Sequence, residues 1–463
     1  MNVVLISTYE LGRQPFGLAS PAAWLRRAGA EVTCLDLSCA PGGVAEPAVC
    51  TADLVAFYVP MHTATRLAIE LLPAVRALNP RAHLCCYGLY AAMNEAYLRR
   101  LGAQTILSGE CEPGLVALVQ RLAAERVDSQ AGWDEQPEQR ISLDRLQFLV
   151  PDRSGLPPLN RYAKLVLPDG ARRTVGYTEA SRGCKHRCRH CPIVPVYDGV
   201  FRIVQRDVVL EDIRRQVAAG AQHITFGDPD FFNAPAHGLA IVEQAHREFP
   251  RLTYDVTIKI EHLLKNAHLL PCLRETGCLF ITSAAESVDD AVLARLAKGH
   301  TRADLLAAVQ LCREAGLALH LTFVPFTPWT TLEGYMELLA LLAAHDLVEN
   351  VAPVQLAIRL LIPAGSRLLE LEEVHELVGP FDEAALVYPW RHLDARVDRL
   401  AEEIHQRVRV GEKMGLPRAR IFARLWQAAA EALAEREVPA SPLPARVLLS
   451  RAAIPFLTEP WYC

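Results

Sequence analysis

Residues 181–192 read Ser-Arg-Gly-Cys-Lys-His-Arg-Cys-Arg-His-Cys-Pro, which sets Cys184, Cys188 and Cys191 in the spacing C-x3-C-x2-C. Thiolates are soft ligands suited to iron–sulfur clusters. Three of them can hold three irons of a 4Fe–4S cube and leave the fourth open to bind and activate another molecule, whereas a fully ligated cluster mostly carries electrons. A zinc site would show two C-x2-C knuckles and a fourth ligand at matching spacing, and both are missing. Arg182, Lys185, Arg187 and Arg189 make the stretch basic. Positive charge beside thiolates lowers their pKa and favours metal binding. The bland alternative is three thiols met by chance in a chain with 13 cysteines.

The pattern around this stretch is strand–helix alternation. Val3–Ser7, Val32–Leu35, Leu54–Tyr58, His83–Tyr87 and Gln104–Leu107 read as strands, with amphipathic helices over Ser20–Ala28, Thr63–Leu78, Tyr90–Leu101 and Pro113–Ala124. Near-continuous apolar strands imply a doubly wound parallel sheet over residues 1–125, which binds ligands beyond the carboxyl ends of its strands. Residues 126–172 are a polar, then proline-rich linker. Alternation resumes over 173–365 with strands at Thr174–Ala180, Gln222–Phe226, Thr253–Ile258, Cys278–Ala284, Ala318–Phe323 and Val354–Leu361. These six strands predict a partial (βα)6 barrel, open at one side, with function at the carboxyl ends. Residues 366–463 are mainly helical, over Leu369–Val378, Leu393–Met414 and Ala419–Arg436, and would cap the open side.

A length of 463 residues suits two or three domains, and a net charge of -5 gives no hint of a nucleic-acid partner. No apolar run reaches the ~20 residues that span a bilayer. The N-terminal segment lacks a basic signal-peptide region, so a reducing cytoplasm is expected.

The cysteine stretch resembles the signature of the radical S-adenosylmethionine (SAM) enzymes. The resemblance implies an enzyme in which the open iron chelates SAM, and one-electron reduction by a flavodoxin- or ferredoxin-like donor yields a 5′-deoxyadenosyl radical that attacks a substrate. The residue before the last cysteine is usually aromatic in that family; here it is His190. The lead-in Gly176-Tyr177-Thr178-Glu179-Ala180 looks like the subgroup with an N-terminal cobalamin-binding-type domain. That subgroup's Asp-x-His-x-x-Gly motif carries a cobalt-ligating His, and the matching loop here, Tyr9-Glu10-Leu11-Gly12, has none. Cobalamin bound without a protein ligand and a domain that has lost the cofactor both stay open. If cobalamin binds, methyl transfer is implied; if it does not, rearrangement or carbon–sulfur chemistry comes forward.

Several strand-end residues match family roles toward SAM. Gly227 with Asp228 or Asp230 stands where the amino group is bound, and Ser283 and Glu286 match the pattern for the ribose hydroxyls and other polar atoms. Ser287 reads equally as the cap of the next helix. Lys259 could meet the SAM carboxylate, and Arg359, in an apolar strand, needs an anionic ligand or a structural carboxylate. The end of the chain, Leu457 to Cys463, resembles the radical SAM proteins named for a Cys-Sec-Ala-Glu-Pro or Cys-Cys-Ala-Glu-Pro tail, as if reading stopped at a selenocysteine; Cys463 would then be a catalytic sulfur centre. The rivals from other classes are a non-catalytic iron–sulfur electron carrier or sensor, and a binding module with a structural metal.

Overall fold

A computed structural model describes residues 1–39, 43–44, 46–127, 138–435, 442–445, 447 and 454–459; Cys463 lies outside them. The first sheet contains β1 (Asn2–Ser7), β2 (Glu31–Asp36), β3 (Leu54–Tyr58), β4 (His83–Tyr87), β5 (Thr105–Gly109) and the short β6 (Ile141–Ser142). Its order is β2-β1-β3-β4-β5-β6 and all neighbours are parallel. Helices cover both faces, so the strands bury side chains on each: Val4, Ile6, Val55 and Phe57 on one, Val3, Leu5, Leu54 and Ala56 on the other. Strand order reverses between β1 and β3, which opens a crevice beyond their carboxyl ends.

The helix Phe16–Arg27 starts four residues before the expected Ser20 and contains Pro21. Proline offers no N–H to the carbonyl four residues back. That carbonyl, on Gly17, instead accepts the Tyr87 hydroxyl at 2.8 Å, so the break in the helical ladder becomes a tie to the sheet.

The second sheet has β7 (Lys164–Val166), β8 (Arg172–Thr178), β11 (His223–Phe226), β12 (Thr253–Thr257), β13 (Cys278–Glu286), β14 (Ala318–Phe323) and β15 (Phe456–Leu457). Between β8 and β11 lie β9 (Ser181–Gly183) and β10 (Phe201–Ile203), an antiparallel ribbon. The order β14-β13-β12-β11-β8-β7-β15 places five parallel strands in a half barrel, extended by two antiparallel strands at one edge. The α/β class, the doubly wound sheet and the partial barrel are as expected.

The sixth barrel strand is corrected. Pro353–Leu356 is a 3₁₀ turn, in which Gln355 N returns to Ala352 O and Ala357 N to Val354 O, so those backbone groups are used locally. Only one parallel bridge, Phe326 to Arg359, stands where the strand was expected. The other barrel edge carries what the sequence did not suggest: β15, from the chain's far end, pairs antiparallel with β7, and Leu457 joins Leu165, Val175 and Phe280 in the barrel interior. The C-terminal helices Ala395–Lys413 and Arg418–Ala434 pack Leu400, Ile404, Ile421, Phe422 and Leu425 onto the core.

Candidate active site

The cysteines occupy the connection between β9 and β10, at the carboxyl end of β8. Asp228, buried in the turn after β11, holds the start of this connection: Ala180 N donates to one carboxylate oxygen at 2.9 Å and Ser181 Oγ to the other at 2.6 Å. Burial pushes the Asp228 carboxyl up to about 6 against these hydrogen bonds. Its acceptors are spent on the loop, so the amino-group role expected of it does not suit its position. Gly227 is required for a different reason than ligand approach, since a Cβ there would lie 1.7 Å from the Tyr177 hydroxyl.

Arg182, Arg187 and Arg189 are engaged with groups other than the sulfurs, which corrects the expected lowering of the thiol pKa values by them. Arg182 Nη1 donates to Glu110 at 3.1 Å and Glu112 at 2.7 Å, and its Nε to Glu179 at 2.8 Å. Arg187 binds the Asp198 carbonyl, and Arg189 the Arg295 carbonyl. Without a metal, burial pushes Cys184 up and Cys191 up to about 12, and Cys188 and Cys184 push Cys191 further. The cysteines thus share one electrostatic neighbourhood. The cations acting on it are Lys259, which lowers Cys184, and Lys298, which lowers Cys191. A donor set of three thiols, grouped on one loop and desolvated, fits a cluster with an open iron.

The barrel mouth surrounds this loop with two polar groups. In the first, Asp230 Oδ1 accepts from Phe232 N at 3.0 Å, and Oδ2 lies 2.6 Å from His262 Nδ1 and 3.6 Å from His186 Nε2 without hydrogen-bond alignment. His186 Nε2 is 3.2 Å from His262 Nε2, and Lys259 Nζ lies 3.1 Å from His186 Nδ1 and 2.9 Å from Glu261. His186, Asp230 and His262 have their ligand atoms within 4.8 Å of one another, but the Lys259 ammonium opposes a second cation there. In the other group, Glu286 accepts from His190 Nε2 at 3.0 Å and from Lys298 Nζ at 3.3 Å. Burial alone would raise Glu286; Lys298 and then His190 outweigh it and hold the carboxyl down at about 2. Glu286 reaches this position through a register shift at the end of β13 and a φ of 62, a strained backbone for a residue with a Cβ. Ser283 Oγ is fully buried with no hydrogen-bond partner among the described residues, and His190 Nδ1 and His300 Nδ1 likewise have none among them.

The structure therefore brings His190, Asp230, Lys259, Ser283 and Glu286 to the rim that carries Cys184, Cys188 and Cys191. It does not bring Arg359 there. Arg359 donates to Asp398 at 2.7 Å and to the Trp390 carbonyl at 2.9 Å, with its guanidinium 3.6 Å from the Trp390 ring centre, so the structural carboxylate is its partner. Ser287 does not cap the next helix: Asp289 does, through Ala291 N and Val292 N, while Ser287 Oγ accepts from Asp289 N. Sequence reasoning missed His186, His262 and Lys298. The one signal was Lys298 opening a polar break between two helical patterns.

Above the mouth, the rim of the first sheet faces the cysteine loop across a cavity of about 250 Å³. Glu10, Arg13, Phe16, Tyr58, Tyr87 and Glu112 line it from one side, and Tyr177, Glu179, Arg182 and Gly227 from the other. Burial pushes Glu110 and Glu179 up to about 7, against the lowering effect of Arg182.

Residues 178–342 match the Radical SAM superfamily. A curated relative, hopanoid C-3 methylase of Methylococcus capsulatus, is 24% identical over 326 residues, which are 68% of this chain and 62% of the relative. The chain thus spans less than two thirds of that relative's length. Two solved structures share the fold. The radical SAM methyltransferase TsrM of Kitasatospora setae, with cobalamin and a [4Fe-4S] cluster bound, is 17% identical over 74% of this chain and 73% of its own, with a TM-score of 0.58. The cobalamin-dependent SAM radical enzyme OxsB, with aqua-cobalamin and SAM bound, is 14% identical over 89% of this chain and 67% of its own, with a TM-score of 0.65. Residues 178–342 of this chain thus match the Radical SAM superfamily, within a fold that it shares with these two structures.

Proposed function

We propose that this protein uses a 4Fe–4S cluster and SAM to generate a radical that abstracts hydrogen from a substrate held between the barrel mouth and the first sheet. The observation that carries the reading is the pair of buried polar atoms, Ser283 Oγ and His190 Nδ1, that have no hydrogen-bond partner among the described residues at the barrel end that presents the three thiols. Bound together, cluster and SAM supply a 5′-deoxyadenosyl radical on one-electron reduction. Cys184, Cys188 and Cys191 hold the cluster. Asp230 accepts from an ammonium, Lys259 and Lys298 offer ammonium groups to a carboxylate, and Ser283 and His190 serve hydroxyls. Asp228 and Gly227 position the loop. A flavodoxin- or ferredoxin-like donor in a reducing cytoplasm supplies the electron. The working division is a cobalamin-binding-type domain over 1–125, a linker over 126–172, the barrel over 173–365 and a C-terminal region over 366–463.

Cobalamin-dependent methyl transfer is a second reading, favoured by the likeness to the two cobalamin-bound structures. The residues present do not fit a corrinoid in this arrangement. The cavity is below the ~300 Å³ of pockets for ordinary small ligands; Tyr58 lies so close over Gly17 that a Cβ there would be 2.1 Å from its ring; and the β1 loop has Tyr9 at the position of the motif's cobalt-ligating His.

Anaerobic reconstitution tests the main reading. About four irons and four sulfides per chain are expected, with an electron paramagnetic resonance signal in the reduced state that shifts when SAM is added. A signal unmoved by SAM would favour the electron-carrier rival.

A further inference from the structure

The cavity between the two rims holds more carboxylates than cations can satisfy. Glu10 is 8% exposed and Glu112 is 1% exposed; each lines the cavity and each has one carboxylate oxygen, Oε2, with no partner among the described residues. Glu179 lines the same space, 3.4 Å from the Tyr177 hydroxyl. Against these stand Arg182, shared by Glu110, Glu112 and Glu179, and Arg13, already paired with Glu459. Arg153, nearby, is bound to Asp212. An anion entering here would meet no free guanidinium. A neutral apolar ligand would leave the carboxylate oxygens without a donor.

The walls are aromatic. Tyr58 and Tyr87 are 5.3 Å apart between ring centres, and Phe16 and Tyr177 are 5.8 Å apart. Arg13 already stacks over Tyr177 at 5.3 Å and Arg182 over Phe16 at 5.6 Å, so these ring faces accept cations. Burial and the neighbouring Glu179 push Glu10 well above the usual carboxylate range, the state of an acid short of a cation.

We infer that this cavity takes a small organic cation, an amine whose ammonium sits between Glu10 and Glu179 and whose hydrocarbon lies against Tyr58 and Tyr177. It borders the cysteine loop at Ser181, Arg182 and Gly183. The inference therefore names the substrate class of the proposed radical enzyme and rests on that proposal for the word substrate. Its binding half stands alone.

Calorimetric titration of the full-length protein with n-butylamine, n-butanol and butyrate tests it. The amine should bind at least about tenfold more tightly than the alcohol, the worth of one charge-assisted hydrogen bond in a desolvated site, and butyrate more weakly than either. Glu10→Gln should remove the preference of amine over alcohol. If that variant does not fold, the ratio in the unaltered protein decides alone. Alcohol binding as tightly as amine, or butyrate binding best, overturns the inference. Protein that cleaves SAM but shows no preference for the amine loses this inference and keeps the radical reading. Protein that prefers the amine but never cleaves SAM keeps the cation site and loses the radical reading.

Discussion

The two rims facing each other across the cysteine loop treat buried acids in opposite ways. At the barrel mouth, Glu286 is paired with both Lys298 and His190 and is held ionised, down at about 2. At the rim of the first sheet, three carboxylates share Arg182, and two of them, Glu110 and Glu179, are pushed up to about 7. Topology does not explain the difference, because both are carboxyl ends of parallel strands covered by helices. The ratio of cations to carboxylates explains it. Where cations suffice, Coulomb attraction exceeds desolvation; where they do not, protonation relieves the surplus. The mouth therefore holds Glu286 with its charge matched by cations, and the opposite rim holds a surplus of carboxylates.

The largest effect should come from removing the shared cation. Arg182→Met leaves Glu110, Glu112 and Glu179 without a charged partner and should cost about 3–5 kcal/mol in denaturant unfolding, the usual penalty for a broken buried pair. A loss under about 1 kcal/mol would mean that the carboxyls are neutral with the arginine present, and that Arg182 serves only to pack on Phe16 and Phe148.

The next effect separates the rims by pH. Glu110 and Glu179 titrate higher in the fold than in the unfolded chain, so their contribution is full below the unfolded pKa near 4.5 and is lost as pH rises through about 7. Glu286 titrates lower in the fold, so its contribution is present above the unfolded pKa and is lost as pH falls toward about 2. Unfolding measured across pH should show stability falling between pH 5 and 7.5 by about 2 kcal/mol for each of the two carboxyls. In Glu110→Gln this slope should shrink, whereas in Glu286→Gln it should persist and only the acid limb below pH 4 should flatten. An unchanged slope in Glu110→Gln would place the acidic surplus elsewhere.

The smallest effect concerns Arg359. Its pair with Asp398 is one-third exposed, so Arg359→Ala should cost only about 1 kcal/mol, mostly from the Trp390 face, and leave SAM binding unchanged. Weakened SAM binding in a stably folded variant would return Arg359 to the cofactor site.

How much of this was legible in the sequence depended on how local each signal is. β1 to β5 of the first sheet read correctly to within two residues because a sheet buried on both faces uses unbroken apolar runs, such as Leu54–Tyr58 and His83–Tyr87, whereas the two-residue β6 lay inside the expected linker. The cysteine spacing is equally local. The helix start at Phe16 was obscured by Pro15, Gly17 and Pro21, and only the distant Tyr87 hydroxyl makes those breakers tolerable. β7 and β15 are three and two residues long and pair across nearly 300 positions of chain, so no window contains both. The apolar run at Val354–Leu361 looked like a strand because a 3₁₀ turn under C-terminal helices buries the same residue types. At the mouth, Asp230, Ser283 and Glu286 are named by their strand ends. His186 on the cysteine loop, His262 on the helix Ile260–Lys265 and Lys298 in a turn come to the mouth only when these separate segments converge, and spacing carries no trace of that.

The account stands on the three thiols serving a SAM-cleaving cluster, and product analysis tests this most directly. Reconstituted protein, incubated anaerobically with SAM and dithionite, should form 5′-deoxyadenosine and methionine in equal amounts, and a Cys188→Ala variant should form neither. Intact SAM in the presence of a fully assembled, reducible cluster would contradict it.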